Sequence, residues 1–162
     1  MTGNGRGPAI VGYDGSPASD RALRATSLLA IEQVLVVVVW EADVAFDLLA
    51  PATLIPAPVD VRAVLDVEKE LYEGAQRLAE QGAALAREAG FEAEGLAVAD
   101  ELTVAATLLR LVRERDASVL VVGTHGHRAL REVLVGTTSR EVILQAPCPV
   151  LVARAPATGA RR

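Results

Sequence analysis

The residues best suited to chemistry are Gly123-Thr124-His125-Gly126, a nine-residue interval, and then Gly136-Thr137-Thr138-Ser139. The chemistry they suit is anion binding. The block follows the apolar run Val119-Leu120-Val121-Val122 and precedes a helix-like segment over 140–145. Where a strand passes through a glycine turn into a helix, unpaired backbone N–H groups converge with the positive end of the macrodipole. Glycine admits a phosphate close to the backbone and adopts positive φ at little cost. The hydroxyls of Thr137, Thr138 and Ser139 add neutral donors. The spacing matches neither the common P-loop, which needs a Lys after its last glycine, nor the dinucleotide pattern G-x-G-x-x-G. The same residues also read as two turn glycines and a helix capped by Thr137 or Thr138.

Other candidates are single residues. Asp14, in Tyr13-Asp14-Gly15-Ser16-Pro17, either accepts from a ribose hydroxyl or caps its own turn. His127 either donates to a phosphate or is an exposed loop histidine, and His125 reads as structural or solvent-facing. Trp40, ending an apolar run, either stacks on a base or closes the core. Cys148 stands alone between Pro147 and Pro149, so no internal disulfide is open to it, and it reads as a small buried apolar residue. Phosphoryl transfer needs metal, charge neutralisation and a positioned nucleophile. Near the glycine block the cationic candidates are His127, Arg128 and Arg131, and no acidic metal pair is evident. No catalytic or metal-ligating residue is therefore assigned.

The elements that position these residues follow from periodicity. With 162 residues, the chain is the size of one well-buried domain. Apolar residues make up 51% and aromatics only 3%, so Val, Leu, Ile and Ala must build the core. Ala9 to Tyr13 reads as a strand, Ser16 as a helix cap with Pro17 at the first helical position, and 18–30 as a helix with Ala22, Leu23, Ala25, Leu28 and Leu29 on its apolar stripe. Residues 34–40 are apolar on both faces, the mark of a central parallel strand. Glu41 to Asp60, with Pro51, Pro56 and Pro58, reads as a loop or flap, either functional or a poorly ordered insertion. A helix over 61–89 ends at Gly90 and is weakened by Gly74 and Gly82. Then come a strand over 91–99, less apolar and nearer an edge, a helix over 103–115, a strand over 119–122 and a strand from Pro149 to Ala153.

Alternating strands and helices with right-handed crossovers give an α/β fold with a doubly wound parallel sheet. Ligands in such sheets sit beyond the carboxyl ends of the strands, where the strand order reverses. If the first and fourth strands are neighbours, Asp14 and the glycine block share one crevice. The net charge of −5 speaks against a nucleic-acid surface. The longest apolar run, 34–40, is too short to span a bilayer, and residues 1–8 lack the apolar stretch of a signal peptide. A cytoplasmic location is expected.

From about Pro8 to Arg154 the chain resembles universal stress proteins. The resemblance rests on Gly12-Tyr13-Asp14-Gly15-Ser16, on Gly123-x-x-Gly126 with Gly136-Thr137 nine residues further on, and on Ala146-Pro147-Cys148-Pro149-Val150-Leu151-Val152. It is specifically to the ATP-binding branch, and it implies a five-stranded sheet of order 3-2-1-4-5 with helices on both faces. It further implies that Asp14 contacts the ribose, that backbone near Val39 and Trp40 lines an adenine pocket, and that Val122 and Gly123 border the adenosine. Gly126, Gly136, Thr137, Thr138 and Ser139 would surround the phosphates, with His127 beside them. The family pattern departs here at His127 and at Thr138, where many members carry Val. A homodimer through the fifth strand is implied too, and an apolar exposed strand is a credible edge to cover.

The domain is expected over 8–154, between flexible ends at 1–7 and 155–162. Three functional classes remain. The first is an ATP-binding stress or signalling regulator acting on an unknown protein partner, with Mg²⁺ carried by the triphosphate where it is needed. The second is a slow ATPase or nucleotide-dependent transferase, and the third a nucleotide-independent dimeric scaffold.

Overall fold

The computed structural model describes residues 7–42, 61–100, 102–124 and 136–154. His125, Gly126, His127, Arg128 and Arg131, most of the 41–60 connection, and both expected flexible ends except Gly7 lie outside the described residues.

Five parallel strands form one sheet in the order β3-β2-β1-β4-β5. They are β1 (Ala9–Gly12), β2 (Gln33–Trp40), β3 (Glu92–Ala99), β4 (Val119–Gly123) and β5 (Val150–Ala153). The helices are α1 (Pro17–Ala25), α2 (Val61–Glu88), α3 (Val104–Glu114) and α4 (Thr137–Gln145). Ala9, Ile10 and Val11 pair with Val34, Leu35 and Val36 on one side and with Val119, Leu120 and Val121 on the other. The first and fourth strands are therefore neighbours, and the strand order reverses between them.

Strand alternation divides the core into two layers. Val11, Val34, Val36 and Val121 face α1 and α2, meeting Ala22, Leu23, Ala79 and Ala83. Ile10, Leu35, Val37 and Leu120 face α3 and α4, meeting Leu108, Leu111, Val112 and Val142. Each fully buried Val, Leu or Ile contributes about 1.5–3 kcal/mol relative to exposure. Such residues make up most of the core, with the Tyr13 ring buried among them and Trp40 and Phe91 packed at its margin.

The two layers differ in how closely helix meets sheet. A Cβ at Gly95 of β3 would stand 2.6 Å from the Ala79 backbone, and one at Gly82 of α2 would stand 2.8 Å from Val36 and 3.0 Å from the Tyr13 ring. Gly82 therefore does more than weaken its helix: it lets α2 lie against the sheet under Tyr13. Gly74 has only the far end of Arg77 within 4 Å and remains a plain propensity cost. Helix α2 stops at Gly90, whose φ is 95°. Gly90 N–H donates to Arg87 C=O and Phe91 N–H to Ala86 C=O, the double closure of a Schellman motif.

Two boundaries and one cap correct the sequence reading. Helix α1 ends at Ala25 and tightens into a 3₁₀ turn over Thr26–Leu28 instead of running to residue 30. The Thr26 and Ser27 hydroxyls donate back to Ala22 C=O and Arg24 C=O, competition that disfavours continued helix. Leu28 consequently leaves the apolar stripe and is 83% exposed, while Leu29 still packs on the core. Helix α4 begins at Thr137, three residues earlier than the segment over 140–145. Its N-cap is Gly136, without a side-chain cap bond, so neither Thr137 nor Thr138 caps it.

The sheet edges also differ. On β3, Glu92 and Glu94 are exposed, and the Arg87 guanidinium, ion-paired with Glu80, donates from Nε to Ala93 C=O at 2.9 Å. On β5, Val150, Leu151 and Val152 are half-buried, beside exposed Ile143 and Leu144 of α4.

Candidate functional site

The crevice lies where β1 turns into α1 on one face of the sheet and β4 leads towards α4 on the other. By register, Val11 stands opposite Val121, so two residues on, Tyr13 is level with Gly123.

The α1 lip is built from bonds within itself. Ser16 caps α1, its Oγ accepting from Ser19 N–H at 3.2 Å, with Pro17 in the first turn. Asp14 Oδ1 accepts from Ser16 N–H at 3.0 Å, so the carboxylate does shape its own turn, at a Gly15 whose φ is 73°. Behind it the Tyr13 hydroxyl donates to Asp20 Oδ1 at 2.7 Å. Burial, and then the bond to Asp20, hold the Tyr13 phenol well above the usual tyrosine range.

The α4 lip is built differently. Gly123 closes β4, and a Cβ there would stand 2.9 Å from the Ala18 backbone, so this glycine is required by packing against α1. Thr124 N–H donates to Ala153 C=O at 3.0 Å and Gly136 N–H to Thr124 C=O at 2.9 Å. Ser139, 4% exposed, donates from Oγ to Gly123 C=O at 2.7 Å. Thr137 is exposed and Thr138 half-buried at the start of α4. The amides of the first helical turn have no carbonyl a turn earlier within the helix, and the residue at the cap position, Gly136, makes no side-chain cap bond to them.

Strand β2 supplies the third wall because it outruns β1. Pairing with β1 ends at Gly12 opposite Val37, with Tyr13 N–H donating to Val37 C=O. Pairing with β3 continues to Trp40, whose C=O accepts from Asp100 N–H. Successive residues turn their N–H and C=O to alternate sides, so Val39 directs its pair towards β1, past the point where β1 ends. The Trp40 ring packs with the α1 and α2 layer and lies 6.1 Å from the Tyr72 ring. It closes that core, and its Nε1 is buried without a hydrogen-bond partner among the described residues.

Asp14, Val39, Val122, Gly123, Gly136, Thr137, Thr138 and Ser139 thus gather at the carboxyl end of the sheet, with the Trp40 backbone beside them. Gly126 and His127 lie outside the described residues. Sequence reasoning missed the Tyr13–Asp20 bond, the Gly82 seat and the Thr124 bonds, because all three depend on contacts across the fold. A groove of about 490 Å³ lined by Pro8, Gln33, Glu92 and Arg115, among others, lies at the opposite end, where the strands begin. Among the described residues, no group of three or more His, Cys, Asp or Glu side chains could hold a metal ion. No described helix is long and apolar enough to cross a membrane. Burial raises the pKa of the Cys148 thiol, which fits its reading as an apolar residue.

Residues 6–154 match the model of the universal stress protein family. The chain belongs to that family. It is 30% identical over 149 residues to the universal stress protein YxiE of Bacillus subtilis, spanning 90% of this chain and 97% of that protein. Among solved structures it resembles a universal stress protein family protein from Arabidopsis thaliana with AMP bound, at 17% identity and a TM-score of 0.62, covering 93% of each chain. It also resembles the universal stress protein from Archaeoglobus fulgidus in complex with dAMP, at 20% identity and a TM-score of 0.55, covering 90% of this chain and 96% of that one. At these identities the structural likenesses speak for the shared fold, and the five-stranded order seen here is that of the family.

Proposed function

We propose that this universal stress protein binds an adenine nucleotide, ATP in the cell, and acts as a nucleotide-responsive cytoplasmic regulator that presents a changed surface to a protein partner. The observation that carries the reading is the start of α4. A helix that begins at a glycine, without a side-chain cap, offers first-turn amides and the positive end of its dipole to phosphate oxygens. Thr137 and Thr138 add hydroxyl donors, and Asp14 accepts from the ribose. The Val39 N–H and C=O offer the donor and acceptor pair that an adenine edge needs. The AMP and dAMP bound by the two solved relatives support an adenine nucleotide as the ligand class. Gly126 and His127 complete the phosphate-binding set by resemblance, and Mg²⁺ travels with the triphosphate.

The test is the change in melting temperature with ATP, measured with and without Mg²⁺, in the wild type and in Thr137→Asp. A ligand at a hundredfold excess over Kd stabilises by about 2.7 kcal/mol. A carboxylate at the first position of α4 suits the helix dipole but repels phosphate. The expected result is an ATP-dependent rise in the wild type and none in the variant. Equal rises in both would sink the reading. Gly123→Val is a poorer probe, because it also disturbs the contact with Ala18.

We further propose a homodimer through β5, supported by its uncharged edge residues Val150, Leu151 and Val152 and by the exposed Ile143 and Leu144 alongside. Light scattering after nucleotide removal should give a dimer that Leu151→Arg dissociates. A wild-type monomer at working concentration rules it out.

A further inference from the structure

We infer that Ser139 is a positioning residue of the nucleotide site and not one of its phosphate ligands. The binding part of this assignment rests on the adenine-nucleotide reading above; the structural part does not. A hydroxyl carries one proton, and phosphate oxygens at neutral pH are chiefly acceptors. The Ser139 proton is committed to Gly123 C=O at 2.7 Å, within a residue only 4% exposed. Donating to a phosphate would break that bond and leave a carbonyl unpaired. Thr137, exposed in the same turn, has no such commitment among the described residues.

The bond does a different task. It ties the last residue of β4 to the first turn of α4, a helix start whose cap residue, Gly136, makes no side-chain cap bond. Gly136 N–H to Thr124 C=O, at 2.9 Å, closes the neck between the two elements, and Thr124 N–H to Ala153 C=O anchors that neck to β5. Gly123 is itself backed by Ala18, whose backbone leaves no room for a Cβ. Ser139 therefore sets the height and angle at which the Thr137 and Thr138 amides stand beside Gly123. Donors fixed in place before the ligand arrives need less ordering when it binds.

The experiment follows amide hydrogen exchange by NMR in the nucleotide-free full chain, with calorimetric titrations of AMP and ATP, for the wild type, Ser139→Ala and Ser139→Thr. In Ser139→Ala, the Gly136 amide should exchange about tenfold faster, the factor that a hydrogen bond of ordinary net strength supplies. The amides of Ile10 and Val36, buried in mid-sheet, should keep their rates. AMP and ATP should both bind about tenfold more weakly, because the loss lies in a shared arrangement. Ser139→Thr, which keeps the donor, should hold the exchange rate and both affinities near wild type. A Gly136 rate unchanged in Ser139→Ala overturns the assignment, whatever the affinities do. So does a rise shared equally by Ile10 and Val36, which is general loosening of the fold. A wild type that binds neither nucleotide, with the Gly136 rate still raised in Ser139→Ala, defeats the nucleotide reading and leaves Ser139 as the fastener of the neck.

Discussion

The two lips of the crevice are both turns from a strand towards a helix, yet one is capped by its own side chains and the other is not. At the α1 lip, Ser16 caps the helix, Asp14 bonds the turn and Tyr13 is tied to Asp20. At the α4 lip, the helix begins at Gly136 without a side-chain cap, and its bonds fasten the neck. The difference teaches where to look for a ligand. A capped helix start has already spent some of its donors, whereas an uncapped one is completed by solvent or by a bound group.

That contrast can be broken by substitution. Gly123→Val should have the largest effect on stability, a loss of about 3 kcal/mol, because overpacking of this size forces backbone shifts. Chemical denaturation without nucleotide measures it, and a loss below about 1 kcal/mol would mean that Ala18 can yield. Next comes Tyr13→Phe, which removes the donor to a half-buried carboxylate and should cost about 1–2 kcal/mol near neutral pH. This variant also has a pH signature. The phenol pKa is raised on folding, so its contribution is fully present below the unfolded value of about 10 and is lost as pH climbs above it. Wild-type stability should therefore fall above about pH 10 more steeply than that of Tyr13→Phe, and parallel pH profiles would remove Tyr13 from the account.

Ser16→Ala should cost about 1 kcal/mol, the usual loss for an N-cap. Thr137→Asp should show the smallest change in nucleotide-free stability and in the opposite direction, a gain of about 0.3–1 kcal/mol from the helix dipole. A loss there of the size seen in Ser16→Ala would mean that the α4 start is capped after all, and the contrast between the lips would disappear.

Much of this arrangement was legible in the sequence because it is local. The β-branched run at 34–40 marked the central strand, Ser16-Pro17 marked the start of α1, and Gly90 marked the end of α2. The site was legible as far as glycine spacing reaches, since spacing reports where the backbone turns. What spacing does not report is why a glycine is needed. Gly82 is small because of Tyr13 and Val36, and Gly123 because of Ala18, all partners distant in sequence. Ser139 read as a phosphate donor because nothing local shows that its proton goes to a residue sixteen positions earlier. The premature end of α1 was missed for the converse reason: Thr26 and Ser27 compete with the helix locally, and the apolar stripe masked them.

The guarded edge of β3 bears on assembly. With Arg87 occupying an outward carbonyl and Glu92 and Glu94 flanking it, further strand addition is discouraged at that side of the sheet. Pairing of one β5 with another uses the same patch on both chains and closes after two, whereas β3-to-β5 contacts would repeat head to tail and need not close. The Arg87–Ala93 bond thus occupies an acceptor that a strand added at β3 would need, so the proposed β5 pairing would close as a dimer instead of growing into a filament.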